Sequence, residues 1–241
     1  MSDPRPIIAV LGGTGKEGSG LAFRWAHAGY PVILGSRTEE RAVAAAEELN
    51  RLLAGRAVVS GRLNLEAARA AAIVVLTVPW AAQLPTAFEV KDALAGKVFI
   101  DVTVPLVPPK VDRVQLPEGG SAVLRLQREL GDRVRVVSAF QNVSAVHLKD
   151  LDHAIDCDVL VCGDDAAARE QAVELAEAAG MVAWHAGALA NSAASEALTS
   201  VLIAINKRYK VSASGLRITG VRRPDAVADA GRGVAERPAL S

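Results

Sequence analysis

The sequence predicts an α/β protein built on a doubly wound, mostly parallel sheet, with a small C-terminal strand-helix-strand unit and a long last helix. Three observations carry that expectation. Short aliphatic runs alternate with longer helical stretches along most of the 241 residues, the order that parallel strands and their crossovers require. The first run, Ile7-Ile8-Ala9-Val10-Leu11, is apolar throughout, as a strand buried on both faces must be. It leads at once into a glycine-rich turn and then into Leu21-Ala22-Phe23-Arg24-Trp25-Ala26, which reads as a helix.

The glycines of that turn, Gly13, Gly15 and Gly18, have the spacing G-x-G-x-x-G. Gly13 is expected to permit the tight turn, Gly15 to let backbone approach a pyrophosphate, and Gly18 to let the helix pack closely on the sheet. The amides that open the helix, at its positive dipole end, suit phosphate oxygens. Thr14, Lys16 and Glu17 lie between the glycines and join them as candidate cofactor-binding residues. On its own such a pattern also fits a turn that binds nothing. Between a strand and a helix, ahead of a second strand, it points to a Rossmann-type dinucleotide site.

The helix ends near Ala28-Gly29, and Pro31-Val32-Ile33-Leu34-Gly35 is the second strand. Its end is the most informative point in the chain. An NAD-binding domain of this type places an Asp or Glu there, about 20 residues after the glycines, on the ribose hydroxyls. This chain has Ser36-Arg37, with Arg41 one helical turn on. A hydroxyl and two guanidiniums suit a 2′-phosphate, which an acid would repel. The expected cofactor is therefore NADP(H), bound by Ser36, Arg37 and Arg41; the plainer alternative is a pair of solvated charges opening a helix.

Residues 39–53 read as an alanine-rich packing helix, 57–59 as a short strand between Gly55 and Gly61, and 63–71 as another helix. Ala72-Ile73-Val74-Val75-Leu76-Thr77 is the next strand. Ligands of doubly wound sheets lie outside the carboxyl ends of the strands, so Thr77, Val78 and Pro79 are expected near the nicotinamide end of the dinucleotide. Trp80 reads as a packing residue heading the following helix, with a ring-stacking role as the alternative. Lys97-Val98-Phe99-Ile100-Asp101 is a further strand whose Asp101 suits a loop cap, and residues 108–120 form a proline- and charge-rich surface excursion. A helix over 124–130 and the strand Arg133-Val134-Arg135-Val136-Val137 follow, ending in the polar run 138–144, where a substrate ring could lie.

After a loop holding His147 and His153 comes a strand-helix-strand unit: Asp158-Val159-Leu160-Val161-Cys162, a helix over 166–179, and Met181-Val182-Ala183-Trp184, expected to extend the sheet. The last helix is expected over 189–209, with Ala197, Leu198, Val201, Leu202 and Ile205 at helical spacing, an apolar stripe suited to the core, to a second subunit, or to both. The division expected is 1–145 for an NADP-binding domain, 146–220 for a smaller part completing the cleft and contributing to a dimer, and 221–241 for a disordered tail.

Composition narrows the function classes. Lys plus Arg number 27 and Asp plus Glu 27, a balance that argues against a nucleic-acid or membrane-surface partner. No apolar run approaches the roughly 18 residues of a spanning helix, and no signal-peptide pattern opens the chain, so a cytoplasmic location is expected. Cys157 and Cys162 fall on opposite faces of an extended segment and are expected to be buried thiols rather than a disulfide. No Ser-His-Asp or Cys-His pairing and no metal-ligand spacing stands out. His27 reads as structural and His147, His153 and His185 as loop residues, while Lys149 and Lys207, the lysines expected nearest the cleft, lack a supporting motif. A hydride passing directly between two stacked cofactors needs little acid–base help.

Several stretches together resemble one family, the NADPH-dependent reductases of coenzyme F420. They are Leu11-Gly12-Gly13-Thr14-Gly15, Gly35-Ser36-Arg37, Leu76-Thr77-Val78-Pro79-Trp80, Val137-Ser138-Ala139, Val161-Cys162-Gly163-Asp164-Asp165, and Ala186-Gly187 with Leu189-Ala190-Asn191-Ser192. The resemblance implies a homodimeric enzyme that moves a hydride between NADP(H) and the 5-carbon of the deazaflavin ring of F420. It implies 2′-phosphate contacts at Thr14, Ser36, Arg37 and Arg41, and nicotinamide contacts at Val78 and Pro79. It places the deazaflavin against 139–145, including Ala139, Gln141 and Asn142, and against Leu189, Asn191 and Ser192. The chain departs from some relatives at Gln141-Asn142, where they carry His then Thr, and at Ser144, where they carry Pro. Two other readings remain: an NADP-dependent reductase of a small imine, ketone or carbonyl acid, and a non-catalytic NADP-binding protein.

Overall fold

A computed structural model describes residues 4–222. From 223 on, the expected tail lies outside the described residues. The elements are β1 (Ile8–Leu11), α1 (Lys16–His27), β2 (Val32–Ser36), α2 (Glu39–Leu53), β3 (Val59–Leu63), α3 (Asn64–Ala70), β4 (Ile73–Leu76) and α4 (Trp80–Val90). Then follow β5 (Val98–Asp101), α5 (Ala122–Leu130), β6 (Arg135–Ser138), β7 (Val159–Gly163), α6 (Ala166–Ala178), β8 (Ala183–His185) and α7 (Ser192–Tyr209). The strands form one eight-stranded sheet in the order β3-β2-β1-β4-β5-β6-β7-β8. Every neighbouring pair is parallel except β6 with β7, which is antiparallel.

The strand order reverses where β1 sits between β2 and β4, which opens a crevice at the strands' carboxyl ends. Alternation along β1 divides its side chains between two cores. Ile8 and Val10 face one layer with Leu21, Trp25 and Phe140. Ala9 and Leu11 face the other with Val74, Leu76, Phe99 and Leu126. Burying an aliphatic side chain of this kind contributes about 1.5–3 kcal/mol, so double coverage of the central strands makes the sheet the stable frame of the site. Trp25 ties α1 to α6 and to the segment after β6: its indole Nε1 donates to the Leu175 carbonyl of α6 at 2.7 Å, and its ring meets Phe140 edge-on at 5.8 Å.

Several elements differ from the sequence expectation. The third strand runs over Val59–Leu63, not 57–59, and passes through Gly61. A Cβ at Gly61 would lie 2.2 Å from the Ala42 carbonyl carbon, so glycine there lets α2 pack directly on the strand. The helix expected from 124 begins at Ala122 because the Ser121 hydroxyl accepts from the Leu124 amide at 3.0 Å and caps it. The last strand is Ala183–His185. The last helix proper starts at Ser192, after a 3-10 turn over Leu189–Asn191.

α7 buries only part of the expected apolar stripe. Its buried residues are Ser192, Ser195, Glu196, Ser200 and Leu202, whereas Val201 and Ile205 are exposed. Both cysteines are buried free thiols, as expected. No described helix is long and apolar enough to cross a membrane.

Candidate functional site

The turn after β1 places its glycines in distinct tasks. Gly12, with φ +77°, carries the left-handed residue of the turn, a role the sequence assigned to Gly13. Gly13 is instead a packing position, where a Cβ would lie 2.8 Å from both Leu34 Cδ2 and the Val10 carbonyl oxygen. Gly15 is the N-cap of α1 and has no side-chain cap, so the first-turn amides face the crevice without an intrachain acceptor from a capping side chain. Gly18 packs as expected: a Cβ there would come 2.3 Å from Thr77 Oγ1. That hydroxyl is itself committed, donating to the Leu11 carbonyl at 2.9 Å.

Over this turn lies a cavity of about 260 Å³. Thr14, Gly15, Thr77, Val78 and Pro79 line it together with Ser36, Arg37 and Arg41. Arg37 and Arg41 are exposed, and neither has an ion-pair partner among the described residues. Two uncommitted guanidiniums therefore meet where β2 ends without an acidic residue. Asn64 at the start of α3 also lines the cavity; its Oδ1 is buried with no partner while its Nδ2 donates to Glu89. A buried acceptor left open in this way suits a donor on a bound ligand.

A second cavity, of about 360 Å³, shares Gly15, Thr77, Val78 and Pro79 with the first. Its own walls include Lys16, Glu17, Trp80, Thr103, Gln141, Val143 and Thr199. The two are thus adjoining parts of one cleft across the carboxyl ends of the central strands. Burial pushes the Glu17 carboxyl up to about 8, although the residue keeps some exposure to the cleft. A carboxyl shifted towards its neutral form in this way limits repulsion of an anionic ligand beside it.

Behind the second cavity Asp101 is fully buried. It caps the loop, as expected, by accepting from the Thr103 amide at 2.9 Å, and also accepts from Gln83 Nε2. Burial raises its carboxyl to about 7 despite these bonds. Gln141 Nε2 donates to the Asp101 carbonyl at 2.7 Å, which fixes the amide's orientation and leaves Oε1 buried without a partner. Further along, the Glu196 carboxylate accepts from the amides of Ala122 and Val123 at 2.8 and 3.1 Å and from the Ser121 hydroxyl at 2.6 Å. It thereby joins α7 to the N-terminus of α5, with its carboxyl raised by burial.

Residues 7–105 match the family model described as NADP oxidoreductase, coenzyme F420-dependent. The chain is 39% identical to the F420-dependent NADP reductase of Methanocaldococcus jannaschii, over 89% of this chain and 98% of that protein. It is 43% identical to the enzyme of the same name from Methanothermobacter marburgensis, again over 89% of this chain and 98% of that protein. The chain belongs to the F420-dependent NADP reductase family. A crystal structure of a candidate F420-dependent NADP reductase from Arthrobacter sp. FB24 superposes with a TM-score of 0.74 at 26% identity, covering 89% of this chain and 99% of that one.

Within this family member the sequence-derived residues divide in two. Thr14, Gly15, Lys16, Glu17, Ser36, Arg37, Arg41, Thr77, Val78, Pro79 and Gln141 line the cleft, and Gly13 and Gly18 support it from behind. Five others lie elsewhere. Ala139 and Leu189 are core residues, and Asn142 is buried, donating to the Asp158 carbonyl at 2.8 Å. Ser192 is buried against the Ser121 hydroxyl at 2.6 Å, and the Asn191 amide donates to the Ala186 carbonyl. The part of α7 that reaches the cleft is Thr199, roughly two helical turns later. Thr199 and Asn64 carry no local signal, since each reaches the cleft only through long-range packing. Lys149 and Lys207 are bound in ion pairs with Glu48 and Asp112, and neither lines the two cavities.

Proposed function

We propose that this protein transfers a hydride between NADP(H) and coenzyme F420, with NADP(H) in the first cavity and the deazaflavin in the second. The observation that carries the reading is the shared wall, Gly15, Thr77, Val78 and Pro79, which lets two flat rings meet where the turn after β1 and the end of β4 come together. The residues suit the cofactors: open helix amides and paired free arginines match a 2′-phosphorylated dinucleotide, and the unpartnered Asn64 Oδ1 is a ready acceptor.

The two bound cofactors supply the hydride-donating and hydride-accepting carbons. Thr14, Ser36, Arg37 and Arg41 hold the 2′-phosphate, and the turn around Gly15 holds the pyrophosphate. Val78 and Pro79 fix the nicotinamide end, while Lys16, Gln141, Val143 and Thr199 border the deazaflavin. Their role is positioning and water exclusion, since ring-to-ring transfer depends chiefly on distance and alignment.

The two-part organisation follows the same logic: 1–145 forms the nucleotide-binding part, and 146–220 completes the cleft through Thr199. The exposed Val201, Ile205 and Tyr209 on α7 suit a homodimer contact, and the enzyme is assigned to the cytoplasm. Mixing purified enzyme with oxidised F420 and either NADPH or NADH tests the reading. Rapid loss of the deazaflavin's visible band with NADPH is expected. A persistent band despite NADPH binding would reject the acceptor and turn attention to small imines and ketones.

A further inference from the structure

The turn over 147–153 lies outside the cofactor cleft and is folded around the guanidinium of Arg24. That side chain is 7% exposed. Its Nε donates to the Leu148 carbonyl at 2.9 Å, and one terminal nitrogen lies 2.6, 3.1 and 3.2 Å from the carbonyls of Asp150, His147 and His153. Leu148 is fully buried against α1, where a Cβ at Gly20 would lie 2.4 Å from its own Cβ. The backbone carbonyls are thus turned inward and held.

The consequence is a convergence of side chains on the outer surface. One ligand-capable atom from each of His147, Asp150 and His153 lies within 4.8 Å of the others. The two imidazoles are stacked, with centroids 3.8 Å apart and planes 17° apart. Asp150 Oδ1 accepts from the Asp152 amide at 3.1 Å, which holds its carboxylate in the turn. His147 ends a 3-10 turn over Ala145–His147, while 150 and 153 lie in no helix or strand, so their meeting follows from the Arg24 anchor rather than from a helical spacing.

Two imidazoles and one carboxylate are a donor set for a divalent transition ion. We propose that His147, Asp150 and His153 form a binding site for a zinc-class divalent ion, with solvent completing the coordination. Zinc–nitrogen and zinc–oxygen bonds of about 2.0–2.2 Å need the donor atoms closer than they now stand and both ring planes pointed at one ion. Rotation of the half-exposed His147 and exposed His153 rings supplies both changes while Arg24 keeps the backbone in place. A bound ion would close the turn from outside as Arg24 closes it from inside. The site is independent of the hydride-transfer reading.

Calorimetric titration of the tag-free full chain with zinc chloride tests this, alongside cobalt(II) absorption spectra. One site per chain is expected. His147→Ala and His153→Ala should each weaken binding more than about 100-fold, since loss of even an outer-shell partner of a metal ligand costs 10–100-fold. His185→Ala, at the Glu170 ion pair, should bind zinc like the parent. Cobalt should give weak visible bands of nitrogen and oxygen ligation. Absence of saturable binding, binding that survives in the His147→Ala/His153→Ala double variant, or an intense thiolate band from Cys157 or Cys162 would each overturn the proposal.

Discussion

Thr199 of α7 donates a hydrogen bond from Oγ1 to the backbone carbonyl of Gln141 at 2.7 Å. This single contact ties the last helix to the loop after β6, and both residues wall the second cavity. Because the Gln141 side chain is in turn anchored on the Asp101 carbonyl, the helix, loop and sheet end hold that wall as one unit.

Replacing the hydroxyl tests the unit. Thr199→Val keeps the shape and removes a bond worth about 1 kcal/mol, so KM for F420 should rise about fivefold while KM for NADPH stays level. Thr199→Ser should restore the parent value. Steady-state kinetics with each cofactor varied in turn would show the split, and an equal rise in both constants would count against the assignment of the second cavity.

The two free guanidiniums predict cofactor choice. A hydrogen bond to a charged group contributes about 1.5–3 kcal/mol, so Arg37→Ala should weaken NADPH binding about 10- to 100-fold and change NADH binding little. Fluorescence titration with the two nucleotides measures this directly. Equal weakening of both would place the 2′-phosphate elsewhere.

Asp101 predicts a pH dependence of stability. Its folded-state carboxyl is raised to about 7 from an ordinary 3.8. Between those values the unfolded chain releases the proton and the native chain keeps it. The Asp101 contribution is therefore fully present below about pH 4 and falls as pH rises towards 7, by up to about 4 kcal/mol. Asp101→Asn removes this dependence, so the stability of the variant relative to the parent should climb across that interval in urea melts. A constant difference would refute the raised carboxyl.

Gly18 predicts a coupled defect. In Gly18→Ala the new methyl meets Thr77 Oγ1 at 2.3 Å and the Gly12 carbonyl oxygen at 3.0 Å. Either α1 shifts or Thr77 gives up its bond to Leu11. Overpacking of this kind costs about 1–3 kcal/mol and should also weaken NADPH binding by moving the helix amides. Adding Thr77→Ala should recover part of the stability; thermal melts of the single and double variants check it.

Much of the site was legible because its signals are local. β1, the glycine turn and the Ser36-Arg37 end of β2 are neighbours in the chain, and turn chemistry acts over a few residues. Even there the division of labour was not. The left-handed turn residue proved to be Gly12, because Gly13 is pressed against Leu34 from the adjacent strand. The edge of β3 moved for the same kind of reason, with Gly61 admitting the backbone of Ala42.

By itself the sequence determined the α/β class, the order of strands and helices, the dinucleotide turn and the preference for a phosphorylated ribose. Each of these follows from hydrophobic period, glycine spacing or residue charge along a short segment. Tertiary structure alone decided which part of α7 reaches the cleft, that its buried face is the polar one centred on Glu196, and that His147, Asp150 and His153 meet. Those outcomes depend on long-range partners. A helix rotates to bring Glu196 to the open amides of α5, and a turn closes on a guanidinium that lies more than a hundred residues earlier in the chain.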